Sequence, residues 1–145
     1  MDRYKVFTLA IANLTRSIRK IKTAEMAKWN LKSQHVSCIY YLYEKGVLTA
    51  TELCEICGED KANMSRSIEH LEEHGYIARK EHSNHRYKTH YELTEIGLTV
   101  GRSIFERVEN IITSASDGLS EQDRKIMYKS LSTINKNLQK IAGEY

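Results

Sequence analysis

The chain has 145 residues, 41% apolar and 28% charged, a length expected to form a single domain burying roughly 68–70% of its unfolded surface and a composition that excludes intrinsic disorder. No apolar run approaches the roughly 18 residues of a membrane span, Met1–Lys20 lacks the pattern of a signal peptide, and three cysteines make no disulfide framework, so the expected location is the cytoplasm with no membrane partner. A net charge of only +3 is too modest by itself to declare a nucleic-acid partner, which leaves the placement of charge to carry any such argument.

No proline occurs, so helices can run long and glycines punctuate them. Phe7, Ile11, Leu14, Ile18 and Ile21 step by four and three and predict a first helix with an apolar seam. Along and beyond it Arg16, Arg19, Lys20, Lys22, Lys28 and Lys32 stand against Glu25, a basic stretch that fits either a polyanion footprint or a solvated face. A second helix is expected from about Ser33 to Gly46, whose glycine supplies a left-handed stop. "TATE", Thr49 to Glu52, is a capping box that opens a short third helix carrying Leu53 and Ile56 inward as far as Gly58.

Asp60 is an N-cap for a fourth helix that runs to Gly75. At 3.6 residues per turn Met64, Ile68 and Leu71 share its inner face, while Ala62, Asn63, Arg66, Glu69 and His70 point away and Ser65 lies on the flank. Tyr76 to Tyr91 lacks helical periodicity and predicts two strands joined at "HSNH". Around that joint Arg79, Lys80, Arg86 and Lys88, with His82, His85 and His90, face only Glu81. Thr94 caps a fifth helix with Ile104, Val108, Ile111 and Ala115 in register, "SASDG" ends it, and Ser120 with Asp123 opens a sixth. On the sixth, Met127, Leu131, Ile134, Leu138 and Ile141 repeat the seam.

Seams at both ends of so short a chain are more than its middle can cover, which favours a helical homodimer. Phe7, Ile11, Leu14, Ile18, Met127, Leu131, Ile134, Leu138 and Ile141 are its expected contacts. The third and fourth helices, joined at Gly58, describe a helix-turn-helix. The early part of the fourth helix suits a DNA groove: Asn pairs with adenine and Arg with guanine, and the first-turn amides with Ser65 suit phosphates. Glu69, Glu72 and Glu73 limit entry to the first two turns. A basic hairpin with Arg86 near its tip adds a minor-groove contact. Helix-turn-helix plus basic hairpin is a winged helix, and double-stranded DNA is the expected partner.

The combination of "LKSQ", "LTATEL", "MSRSIEHLEEHGYI" and "LTEIG", across residues 31 to 97, resembles the MarR family of bacterial transcription regulators. The resemblance implies a mainly α fold with a small β-hairpin wing, residues 33–97 forming the winged helix and 1–32 with 98–145 the dimerisation region. It implies a homodimer that puts two recognition helices in successive major grooves and represses nearby genes. Release of DNA would follow from a small phenolic or other ligand, an oxidant or a metal. By position the family's recognition helix matches Lys61 to His74, which points to Asn63, Ser65 and Arg66. Together with the reading of the helix face and the basic hairpin, the expected DNA contacts are Lys61, Ala62, Asn63, Ser65, Arg66, His70, Arg79, Asn84, Arg86 and Lys88. The family's Asp-x-Arg wing tip is matched by Asn84-His85-Arg86, so the acid that braces the wing arginine is replaced by an amide. An effector pocket is implied between dimerisation helices and winged helix, with Met26, Trp29, His35, Tyr40 and Tyr41 as its candidate lining.

"HLEEH", His70 to His74, departs from the zinc-protease order H-E-x-x-H; there His70 is expected exposed and His74 at a helix C-terminus. Cys54-x-x-Cys57 has redox or metal spacing but sits among helices beside Leu53 and Ile56, which fits small buried hydrophobes. No nucleophile elbow, phosphate loop or paired carboxylates occur, so neither an enzyme, a metal nor a cofactor is expected. Two alternatives stay open: a winged-helix protein-interaction module, and a metal- or redox-responsive regulator of the same fold.

Overall fold

The computed structural model describes residues 1–80 and 89–145. By their contacts these divide into two compact units, Met1–Glu106 and Arg107–Tyr145.

In the first unit a π-helical turn, Lys5–Leu9, leads into α1, Ala10–Met26. A 3-10 turn over Ala27–Trp29 and a left-handed Asn30, φ 55°, then stop the helix. Asparagine tolerates that conformation, and the carbonyls of Ala27 and Met26 accept the Asn30 and Leu31 N–H groups at 3.1 and 3.2 Å. α2 spans Ser33–Lys45 and buries His35, Val36, Cys38, Ile39 and Leu42. It leaves through Gly46 at φ 89°, ψ −66°, a positive φ but not the left-handed helical stop expected.

β1, Val47–Thr49, was not anticipated; it precedes α3, Ala50–Cys57. The Thr49 capping box forms as expected: its hydroxyl accepts the Glu52 N–H at 3.2 Å, and Glu52 Oε2 accepts the Thr49 N–H at 2.7 Å. α4 spans Lys61–Glu73, and Asp60 Oδ1 accepts the Asn63 N–H at 2.8 Å. β2, Ile77–Lys80, and β3, His90–Leu93, pair antiparallel with Ala78 opposite Glu92, and β1 pairs on the other side of β3, giving the order β1-β3-β2. β3 extends beyond Tyr91 because Tyr91 and Leu93 are both buried while Glu92 between them is not, the period-two pattern of a half-buried strand.

The core joins the helices to this sheet. Ile39, Leu42, Leu53, Met64, Leu71 and Ile104 are all under 2% exposed. α5, Glu95–Ala115, starts under a cap in which Thr94 Oγ1 accepts the Gly97 N–H at 3.1 Å and donates to the Gly75 carbonyl at 2.6 Å. A Cβ at Gly97 would stand 2.0 Å from the Tyr76 carbonyl oxygen, so only glycine permits this approach.

In the second unit α5 ends at Ala115, and α6, Glu121–Ala142, begins where the Ser120 hydroxyl accepts the Asp123 N–H at 3.1 Å. α6 buries no residue, and α1 buries only Met26. Phe7, Ile11, Leu14 and Ile18 are exposed, as are Leu131, Leu138 and Ile141, while Met127 and Ile134 are half-buried. No helix among the described residues is long and apolar enough to cross a membrane.

Candidate nucleic-acid interface

α3 and α4 meet at a tight turn in which Gly58, at φ 65°, adopts the left-handed conformation and the Cys54 carbonyl accepts the Glu59 N–H at 3.1 Å. Met64, Ser67, Ile68 and Leu71 seat α4 against the core. That seating turns Lys61, Ala62, Ser65 and Arg66 outward, all exposed, in the first two turns. Asn63 is half-buried. Its Nδ2 donates to Asp60 Oδ2 at 3.0 Å, and its Oδ1 accepts a hydrogen bond from Arg66 Nη2. Asp60 thus belongs to the site as well as capping the helix. Its signal in the sequence was the spacing Asp60, Asn63, Arg66, which places side chains one above another on a helix.

His70 departs from expectation. Its ring is half-buried and stacks on His35 of α2 with centroids 4.3 Å apart, and on His74 with centroids 4.0 Å apart. The His70 Nε2 lies 3.3 Å from the Asn30 carbonyl oxygen. The physical reason is packing: a planar ring gains more against two aromatic faces than in water. His74 Nδ1 lies 2.8 Å from the His70 carbonyl oxygen, at the C-terminal end of α4 as expected. His35, 1% exposed, accepts the Lys32 N–H on Nδ1 at 3.0 Å and so caps α2. Burial, then the neighbouring His70, Lys32 and His74, hold its pKa down at about 4. His35 is therefore neutral at physiological pH, with its Nδ1 lone pair committed to the cap.

On β2 the Arg79 Nε donates to Glu72 Oε2 at 3.1 Å, tying the strand to α4. The pair edges an open groove of about 470 Å³ that also contains Ser65, Ile68 and Glu69. Lys80 pairs across the ladder with Glu92 at 3.5 Å. Asn84, Arg86 and Lys88, together with His82 and His85, lie outside the described residues.

Among the candidate effector residues, the structure brings Tyr40 and Tyr41 together, edge to face at 5.2 Å, with Tyr40 stacked on Phe105 at 5.3 Å. Phe105 was missed because its partner lies across the fold rather than along one helix. His35 belongs instead to the histidine stack. Met26 is buried, and Trp29 is half-buried with Lys28 Nζ 4.1 Å over its ring and its carbonyl accepting the Tyr76 hydroxyl at 2.8 Å. Cys38 is buried, whereas Cys54 and Cys57 are half-buried. Burial pushes the Cys38 thiol up to about 12 and Cys57 to about 11, Glu59 and Cys54 adding to the latter. No group of three His, Cys, Asp or Glu among the described residues is placed to hold a metal ion.

Residues 29–86 match the family model described as the MarR family. The chain is 21% identical to the uncharacterized HTH-type transcriptional regulator YfiV of Bacillus subtilis, over 83% of this chain and 76% of that one. Its fold superposes, with a TM-score of 0.85 and 22% identity, on a regulator from Listeria monocytogenes solved with a 26mer DNA, covering 91% of this chain and 88% of that one. It also superposes on NadR in complex with 4-hydroxyphenylacetate, with a TM-score of 0.75 and 17% identity over 87% and 89% of the two chains.

Proposed function

We propose, from the premise that the chain belongs to the MarR family, that it is a sequence-specific DNA-binding transcriptional repressor acting as a homodimer in the cytoplasm. The observation that carries this reading is the outer face of α4. Its first two turns present Lys61, Ala62, Ser65 and Arg66 to solvent while Met64, Ile68 and Leu71 anchor the other face. A helix held on one side and small, polar and cationic on the other fits a major groove, where phosphate contacts set its register and Arg66 reaches base edges. Lys61 and Ser65 suit phosphates. Arg86, which the sequence alone suggests as a minor-groove contact, is assigned to the adjacent minor groove.

The exposed apolar stripes of α1 and of α6 are each assigned to contacts with a second copy of the chain. Two copies give two recognition helices, so the operator is a pseudo-palindrome with half-sites about one helical turn apart, roughly 34–36 Å. An aromatic effector is the ligand class proposed for the Tyr40, Tyr41 and Phe105 cluster. The relative solved with 4-hydroxyphenylacetate supports that class. Such a ligand releases DNA only if it binds more tightly to a dimer whose recognition helices are wrongly spaced.

Selection from random duplexes tests this function. The protein should return one motif with two inverted half-sites at that spacing. Recovery of no motif would contradict the reading and turn attention to a protein-interaction role for the same fold.

A further inference from the structure

In the sequence Asn63 and Arg66 look like two independent base readers. The geometry makes them one device. To read adenine, an asparagine must offer its carbonyl oxygen and its amide N–H together. Here the Nδ2 of Asn63 donates to Asp60 Oδ2 at 3.0 Å, and its Oδ1 accepts from Arg66 Nη2. A carboxylate only accepts and a guanidinium only donates, so the amide has a single orientation that satisfies both partners. Asp60 is itself fixed, because its other oxygen caps α4 by accepting the Asn63 N–H at 2.8 Å. The carboxylate cannot swing away without uncapping the helix.

The result is a continuous hydrogen-bonded run from cap to guanidinium. Arg66 is exposed, whereas Asn63 is half-buried behind it. Arginine has five N–H donors in a planar fork. One is taken by Asn63, and the remainder include the two that a guanine O6 and N7 require. A long side chain already held in place loses less rotamer freedom when it docks.

We propose that Asp60 and Asn63 are positioning residues that aim Arg66 at a guanine in each half-site, and that Asn63 itself reads no base. This rests on the DNA-binding function proposed above.

The test uses the full-length homodimer, sites selected from random duplexes, and fluorescence anisotropy on every single-base variant of the selected site. Wild type should prefer guanine over the other bases at one position per half-site by roughly 5- to 150-fold. Arg66→Ala should abolish that preference. Asn63→Ala should lower it at the same base pair and at no A·T pair. Asp60→Ser keeps a hydroxyl to cap Asn63 but leaves nothing for its amide. Asp60→Asn keeps the size yet cannot accept at both atoms. Both should lose most of the guanine preference, read as the ratio of affinities for the selected site and its single-base variants, a ratio that a uniform change in phosphate attraction leaves unaltered.

Loss of a cap alone would instead weaken binding to all sequences equally, and that outcome would overturn the proposal. So would Asn63→Ala losing an adenine preference that Arg66→Ala retains. Wild type without any sequence preference would sink the DNA-binding function and this arrangement with it. A selective wild type matched at every base by Asp60→Ser and Asp60→Asn would sink the arrangement alone.

Discussion

The imidazole of His35 lies against that of His70, centroids 4.3 Å apart and planes 12° from parallel, joining the first turn of α2 to α4. Protonating His35 would place a charge in a buried site and remove the lone pair that accepts the Lys32 N–H. Its folded pKa, about 4, lies below the ordinary 6.5. Between those values the unfolded chain binds a proton that the folded chain does not, so stability is complete above about pH 6.5 and falls as pH drops toward 4. At ~1.4 kcal/mol per pH unit the loss is up to about 3 kcal/mol. Urea unfolding at pH 7.5 and 5 should reveal it, and His35→Gln should flatten it. An equal pH dependence in wild type and variant would contradict this role for His35.

Gly97 lets the start of α5 pass over the Tyr76 carbonyl, where a Cβ would stand 2.0 Å from the oxygen. The obstacle is backbone rather than a flexible side-chain tip. Gly97→Ala should therefore destabilise the protein by about 1–3 kcal/mol, despite the better helix propensity of alanine. A lowered midpoint in thermal unfolding is the expected reading; an unchanged or raised midpoint would refute the close approach.

The thiols of Cys38 and Cys57 should be sluggish. With pKa values raised to about 12 and about 11 by burial, each is a thiolate far less often at pH 8 than an ordinary cysteine. Iodoacetamide should label both about 100-fold or more slowly in the native protein than in denaturant, followed by mass spectrometry. Rapid native labelling of Cys57, or DNA release by mild peroxide that Cys57→Ser abolishes, would revive a redox-responsive reading.

Ile18 on α1 and Leu131 on α6 are 51% and 47% exposed within one chain. If a second copy covers each stripe, Ile18→Glu or Leu131→Glu buries an unpaired carboxylate at an apolar contact. Either should raise the dimer dissociation constant by about 100-fold or more. Sedimentation velocity should then find monomer at concentrations where wild type is dimeric. Unchanged dimers in both variants would move the interface elsewhere.

Much of the fold was legible where local chemistry decides it. Thr49, Asp60, Thr94 and Ser120 each start a helix where their side chains predict one, because a cap involves residues only three apart. The inner face of α4 followed from helical spacing in the same way. β1 stayed hidden because three residues hold no periodic pattern, and its pairing with β3 is a main-chain matter. The halt at Asn30 was hidden too, since neither glycine nor proline marks it. In the candidate site, the outward face of α4 was visible but the duties of its residues were not. The stack of His35 on His70 and the pairing of Arg79 with Glu72 depend on how separate elements meet. Asp60, Asn63 and Arg66 had the spacing to interact, yet spacing alone did not say that Asn63 would hold Asp60 with one end of its amide and Arg66 with the other.

The most direct test of the regulator reading is fluorescence anisotropy of the full-length protein on duplex DNA from upstream of its own gene, with unrelated competitor, across a salt series. Binding should saturate at one dimer per site, survive competitor, and weaken steeply as salt rises, by about 10³-fold or more between 50 and 200 mM if six or more phosphates are contacted. Binding that is absent, equally strong on unrelated duplex, or indifferent to salt would contradict the claim that α4 is a DNA-reading helix.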